Sequence, residues 1–407
     1  MVKMKRLDHA RILMYSHDTM GLGHLTRCRT IASALIRRYK GLFVLIITGS
    51  PVAGSFNFPA RVDFIKIPSV IKLYNGDYTS MHEHIDLHET LEIRKGIIRH
   101  TAEIFKPDIL IVDKVPLGLK GELEETLHML KTRGCSLVLG LRDVMDSPER
   151  LEEEWAPNDV LGQMESIYDR LWIYGTREFW QPLKGLDVSP ALDSKISYTG
   201  YLKRQLVTKA LPSQHSFTNP YVLATVGGGG DGETLISQIL KAYEVDNTIP
   251  YPALLVLGPF MKTSDRDMIH DRAQALENVE VIDFENNMSQ LMTGAIGVVA
   301  MGGYNTFCDI LSYDKRAIIV PRTHPRLEQL IRAARAQKLG LVSMLHPKQA
   351  DDPQLMADAL RQLPLQSLPS EVDQPGLLEG LEYIADDVGN TFSTKKMPQL
   401  TVVETGS

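Results

Sequence analysis

Short apolar runs closed by turn residues, alternating with longer amphipathic segments, restrict this chain to one broad architecture. In the first half the runs are RILMYSH (from Arg11), LFVLIITG (from Leu42), VDFIKIP (from Val62), DILIVDK (from Asp108), SLVLGLRD (from Ser136) and RLWIYG (from Arg170). In the second half they are YVLATVGG (from Tyr221), ALLVLGP (from Ala253), VEVIDF (from Val279), AIGVVAMGG (from Ala295) and AIIVPR (from Ala317). Several lack polar alternation, as parallel strands covered on both faces do. Between them, segments such as Thr234–Tyr243 and Leu327–Lys338 carry apolar residues at helical spacing. Alternation of this kind predicts an α/β fold built on doubly wound sheets.

The pattern restarts after YTGYLKRQLVTKALPSQHSFTNP, where Pro212 and Pro220 bracket polar residues. At 407 residues the chain also exceeds what one core usually serves. Two Rossmann-like domains facing a central cleft are expected, over residues 1–205 and 219–385, joined by a linker at 206–218. Residues 386–407 read as a disordered tail, polar and patternless from about Thr391. Ligands of such sheets bind in the crevice beyond the carboxyl ends of the strands.

Composition narrows the class of partner. A net charge of −6 offers no basic excess to neutralise phosphates over a broad surface, which argues against nucleic acid. The three cysteines, Cys28, Cys135 and Cys308, lie far apart and suggest neither a disulfide framework nor a zinc set, as in a reducing compartment. The basic start MVKMKR runs into Asp8, His9 and Arg11 rather than an apolar signal core. No apolar run approaches the ~20 residues of a membrane span. A cytoplasmic protein is expected, and net charge leaves peripheral contact with the inner face of a membrane open.

Two glycine loops close strands in the second half. In TVGGGGDGETLISQIL, Gly227, Gly228, Gly229 and Gly230 remove the Cβ atoms that would keep a backbone from a phosphate. The helix after them offers unpaired N–H groups and a positive dipole end. A tight turn that binds nothing is the plainer alternative, although four consecutive glycines exceed what a turn needs. In AMGGYNTFCDIL, Gly302 and Gly303 repeat the device, with a helix expected from Tyr304 or Asn305. Asp309 on that helix either accepts from paired ribose hydroxyls or complements the helix dipole. Two such loops in one domain fit a nucleoside diphosphate. The chain lacks the GxxxxGK[ST] phosphate loop, and MGLGHL puts His24 where no dinucleotide fingerprint has one.

MGLGHLTRCRTIASAL, TVGGGGDG, MGGYNTFCDIL and PRTHPRLEQLIRAARAQKLGL together resemble glycosyltransferases of the two-Rossmann (GT-B), family 28-like type. The second half is similar to the N-acetylglucosaminyltransferases that complete lipid II, and the whole to a bacterial group of predicted glycosyltransferases. The resemblance spans roughly residues 11–345. It implies an acceptor domain followed by a nucleotide-sugar donor domain, with no cofactor and no metal, in bacterial cell-surface glycan synthesis. It puts Gly21, Gly23 and His24 at the donor–acceptor junction, and Gly228, Gly229, Gly230 and Gly232 in the second glycine loop. It puts Phe284 and Met288 near a uracil, Asn305 and Thr306 against the diphosphate, and Asp309 on the ribose. The pair that reads the donor sugar falls on Glu328 and Gln329, where the lipid II enzymes have two glutamines.

Sugar transfer needs a stabilised leaving diphosphate and a deprotonated hydroxyl. Helix N-termini supply the first without a metal, with Arg322 and Arg326 either adding charge or simply solvated. His24 is the candidate general base; otherwise it caps a helix or bonds the diphosphate. Asp113, which ends the expected strand in DILIVDK, either orients His24, binds an acceptor hydroxyl, or caps the next segment. His82, His84 and His88 lack a strong ligand motif, and Asp265–Asp267 reads as solvated charge in a polar helix start. An inverting transferase using a UDP-sugar, such as UDP-N-acetylglucosamine, is the leading expectation. The rival is a nucleotide-sugar hydrolase, since GLGHLTRC also resembles the loop of the hydrolase in pseudaminic acid synthesis. A degenerate nucleotide-sugar sensor is the non-enzymatic alternative.

Overall fold

The alternation predicted from sequence becomes two parallel sheets. A computed structural model describes residues 5–17, 23–72, 78–81, 84–204, 215–217, 220–228, 230–285 and 288–395. The first sheet contains β1 (Arg11–Ser16), β2 (Phe43–Thr48), β3 (Val62–Lys66), β4 (Ile109–Asp113), β5 (Ser136–Arg142), β6 (Arg170–Tyr174) and β7 (Ile196–Tyr198), in the order β7-β6-β5-β4-β1-β2-β3. The second contains β8 (Tyr221–Thr225), β9 (Ala253–Val256), β10 (Val279–Ile282), β11 (Ala295–Ala300), β12 (Arg316–Ile319) and β13 (Ser343–Met344), in the order β10-β9-β8-β11-β12-β13. Every pairing in both sheets is parallel. The edge strands β7 and β13 are too short and too polar to stand out as apolar runs. Each remaining strand matches one of the runs.

Strand order reverses between β1 and β4 in the first sheet and between β8 and β11 in the second. At these switch points crossovers leave to opposite faces and open a crevice at the carboxyl ends. In register, Ser16 lies beside Asp113 and Thr225 beside Ala300. The helix α1 (Gly23–Arg38) follows the first crevice, and α2 (Glu233–Val245) and α3 (Tyr304–Ser312) follow the second. Helix α1 buries Leu25, Cys28, Ile31, Ala32, Leu35 and Ile36, a stripe at helical spacing that fixes which face meets the sheet. One apolar cluster runs without a break from Ile12 and Leu25 through Tyr174, Phe179 and Tyr201 to Tyr304, Phe307 and Val298. The two halves therefore share a core where their crevices meet. The expected linker at 206–218 falls mostly outside the described residues.

The C-terminal expectation is corrected. Residues 386–395 are not a disordered tail but belong to α5 (Gly380–Lys395), so the boundary set at 385 falls inside a helix. The physical reason is a stripe of Leu381, Ile384, Ala385, Val388 and Phe392, all buried, which continues past the polar residues that mask it. The helix crosses back to the first half, packing on α1. Asp387 accepts from Trp172 Nε1 at 2.9 Å and Arg170 at 2.8 Å, and Tyr39 Oη donates to the Ala385 carbonyl at 2.7 Å. A Cβ on Gly389 would stand 2.2 Å from that buried hydroxyl. Gly389→Ala is expected to cost about 1–3 kcal/mol by breaking this bond. In a Tyr39→Phe background the same change should cost little, and urea unfolding of the four variants checks it.

Candidate functional site

His24 stands in the first turn of α1 and Asp113 ends β4, so the switch point brings together residues that are far apart in sequence. His24 Nδ1 lies 2.5 Å from Asp113 Oδ2. A carboxylate only accepts, so Nδ1 carries the proton and the free lone pair is on Nε2. Arg27, one turn further along α1, donates to both Asp113 oxygens, at 3.0 and 2.7 Å. Burial alone would raise the Asp113 carboxyl, but Arg27 and His24 hold it well below the usual carboxylate range. Asp113 is therefore a fixed anion, and it sets the tautomer of His24.

The His24 side chain is 20% exposed. Burial pushes its imidazole from the ordinary 6.5 down to about 4, against the pull of Asp113, and Arg27 adds to the lowering. Neutral imidazole with a bare Nε2 is the form a general base needs. The acid limb of turnover is expected near pH 4 rather than 6.5. An acid limb at 6.5 in a rate profile would contradict this placement. Stability carries the same sign. Between about 6.5 and 4 the unfolded chain takes up a proton that folded His24 does not, so stability falls as pH drops through that window. The loss of Tm between pH 7 and 5 should be smaller in His24→Gln than in the parent.

The second crevice carries both predicted glycine loops. Gly227 has φ +64° and Gly302 φ +78°, both in the left-handed region. A Cβ on Gly227, Gly230 or Gly303 would meet no described atom within 4 Å, so these positions border open space. Phe260 N donates to the Gly228 carbonyl at 2.9 Å, and Gly258 lies so close beneath that its Cβ would be 2.4 Å from Gly227 O. Gly232 packs on Val226 and precedes α2. Gly21 and Gly229 lie outside the described residues.

The remaining expected residues surround these loops, several with protein partners. Asn305 Nδ2 donates to Gly23 O at 2.9 Å, tying the second glycine pair to the start of α1, which carries His24. Thr306 is half-buried in the first turn of α3. Asp309 Oδ1 accepts from Arg204 Nε at 2.7 Å, and Arg204 also reaches Asn305 Oδ1 at 2.9 Å and Thr30 at 2.8 Å. Burial raises the Asp309 carboxyl, although Arg204 opposes it. Phe284 and Met288 are half-buried, and the helix opened by Met288 packs against α3. Glu328, first residue of α4 (Glu328–Lys338), is buried. It bonds Arg142 from the first half and Arg322 NH2 at 3.3 Å. Burial would raise its carboxyl, but Arg142 leads several cations that hold it low. Gln329 Oε1 accepts from Arg322 N at 3.1 Å. Arg322 also reaches Asp231 at 2.5 Å, linking the segment before α4 to the first glycine loop.

Arg326 serves neither as a solvated charge nor beside the glycine loops: it pairs with Asp146 and Glu154 of the first half. His82 lies outside the described residues, His84 precedes the helix Leu87–Phe105 and His88 is on it. Among the described residues no three His, Cys, Asp or Glu side chains gather as a metal site, and no helix is long and apolar enough to cross a membrane. Sequence reading missed Arg27, Arg142, Asp143, Arg204 and Arg332. Arg27 alone had a local signal, its spacing of three from His24, which puts both on one helical face.

Residues 222–373 match the model of the glycosyltransferase family 28 C-terminal domain. An uncharacterized glycosyltransferase of Methanosarcina mazei is 23% identical over 309 residues, 71% of this chain and 75% of the relative. The calicheamicin glycosyltransferase CalG4 superposes with a TM-score of 0.61 at 17% identity, covering 96% of this chain and 100% of its own. MurG of Acinetobacter baumannii gives 0.52 at 12% identity, covering 94% and 99%. The chain thus has the GT-B fold of two facing Rossmann-like halves, and its second half matches the C-terminal domain of glycosyltransferase family 28.

Proposed function

We propose that this protein is a glycosyltransferase that moves a sugar from a nucleotide donor, UDP-linked, to an acceptor hydroxyl with inversion and without a metal. The observation that carries this reading is His24, held by Asp113 at the head of α1, where the adjacent Gly23 is bonded to Asn305 just after the second glycine pair. The family 28 match and the glycosyltransferase relatives support it. In the reaction the acceptor oxygen attacks the anomeric carbon while its proton passes to His24 Nε2. The bond from that carbon to the diphosphate breaks, and its electron pair stays on the departing phosphate oxygen. Backbone N–H groups at the starts of α2 and α3, with Arg322 beside them, meet the developing charge. Asp113 holds the imidazole in register and steadies the imidazolium formed. Asp309 is the ribose contact, sharing its carboxylate with Arg204, and Phe284 and Met288 flank the base. Glu328 and Gln329 read the sugar, and Glu328 in place of a glutamine makes UDP-N-acetylglucosamine a donor to be tested rather than assumed.

Calorimetric titration with UDP, GDP, dTDP and CMP, with and without magnesium, tests the donor half of this reading. UDP is expected to bind best and equally without metal. The matching UDP-sugar, incubated alone, should stay intact. Rapid release of free sugar would make the protein a hydrolase, and no nucleotide binding would refute the reading of both loops.

A further inference from the structure

The cations around the crevice nearly all have partners. Arg27 is paired with Asp113, Arg326 with Asp146 and Glu154, Arg332 with Asp143, and Arg142 and Arg322 with Glu328 and Asp231. Lys114 is the exception. It follows Asp113 directly, is half-buried, and its ammonium has no hydrogen-bond or ion-pair partner among the described residues. Its backbone sits at φ +76°, in the left-handed region that L side chains rarely adopt, held by a bond from its N–H to Gly140 O at 2.8 Å. Burial, then Arg142, Arg326 and Arg27, push the ammonium down to about 7, and Glu328 only partly offsets them. Its charge is also felt by His17 and His24.

A second observation comes from His17, on the residue after β1. It is 7% exposed, its ring lies 5.6 Å from that of His24, and its Nδ1 has no hydrogen-bond partner among the described residues. Unsatisfied buried polar groups in a native structure call for an explanation. Lys114 and His17 both belong to the first half, on the side of the base. In an inverting displacement the nucleophile and the leaving phosphate stand on opposite sides of the anomeric carbon. An anion at Lys114 is therefore not the donor diphosphate, which the second half's loops and helix starts accommodate.

We propose that Lys114 and His17 form an anion subsite on the acceptor side, so that the acceptor carries a carboxylate or phosphate beside the hydroxyl that reacts. This rests on the glycosyltransferase reading given above. The ammonium ion supplies the charge-assisted bond and His17 Nδ1 a neutral one. The unpaired lysine then has its counter-ion only in the Michaelis complex.

The test is titration of inorganic phosphate and, separately, acetate into full-length protein already saturated with UDP, at pH 6.5. At least one of the two should bind, and the tighter one names the acceptor group. Lys114→Met is expected to weaken that binding about tenfold or more, and Lys114→Arg to retain most of it. UDP affinity should be the same in all three proteins. Equal anion affinity in Lys114→Met or absence of anion binding would each overturn the subsite. Failure of UDP itself to bind would instead refute the nucleotide-sugar reading, and the anion titration would then be read without UDP.

Discussion

Replacing His24 by alanine is expected to lower kcat by about 10²–10⁴-fold, the range that a positioned general base contributes, while nucleoside diphosphate affinity should change little. The structure favours this variant as a clean probe. Arg27 alone contacts both oxygens of Asp113, so the carboxylate remains paired when the imidazole is gone. Asp113→Asn behaves differently. It leaves one acceptor oxygen where two held His24 and Arg27, and it leaves Arg27, whose side chain is only 3% exposed, without its counter-charge, so rate and stability are expected to fall together. Steady-state rates with donor and acceptor, beside urea unfolding of each variant, separate the two effects. Unchanged turnover in His24→Ala would remove His24 from the chemistry and leave it as a structural residue at the head of α1.

The second large effect concerns the contact between the halves. Arg332 of α4 donates to both oxygens of Asp143, just beyond β5, at 2.8 and 2.7 Å, and each side chain is 1% exposed. Tyr201 adds a third bond to Asp143 at 2.7 Å, and Arg332 NH1 holds the Gly302 carbonyl at 3.0 Å. Arg332→Met should destabilise the protein by about 3–5 kcal/mol, because it leaves a buried carboxylate without its cation. Adding Asp143→Asn should recover a substantial part, since the group left behind is then neutral. Urea midpoints of the single and double variants decide this. A loss below about 1 kcal/mol for Arg332→Met would mean that water reaches Asp143 freely. Because the same arginine positions Gly302, the single variant should also weaken nucleotide binding.

Most of the strands β1–β6 and β8–β12 were legible because apolar runs of Val, Ile and Leu bury both faces of a parallel sheet, while VDFIK and VEVI at the edges β3 and β10 carry polar residues among the apolar ones. The glycine loops were legible as runs without Cβ atoms at the ends of strands, where Gly227, Gly230 and Gly303 border open space. The end of α5 was not. Its apolar stripe, ending at Val388 and Phe392, is diluted by polar residues whose side is set only by what the helix covers.

What the sequence determined by itself is therefore local in origin: the strand–helix alternation, the restart of the pattern in the second half, the two loops and the histidine at the head of α1. Tertiary structure alone decided that His24 meets Asp113, that Glu328 meets Arg142 and that Asp143 meets Arg332. These are charged residues far apart along the chain, without a periodicity that marks their partners. Their pairing follows from strand order in the sheets and from the way one half closes on the other. Strand order places Asp113 beside Ser16, and the meeting of the two crevices sets arginines against carboxylates. It also leaves the Lys114 ammonium without a partner among the described residues, which no local feature of DILIVDK reveals.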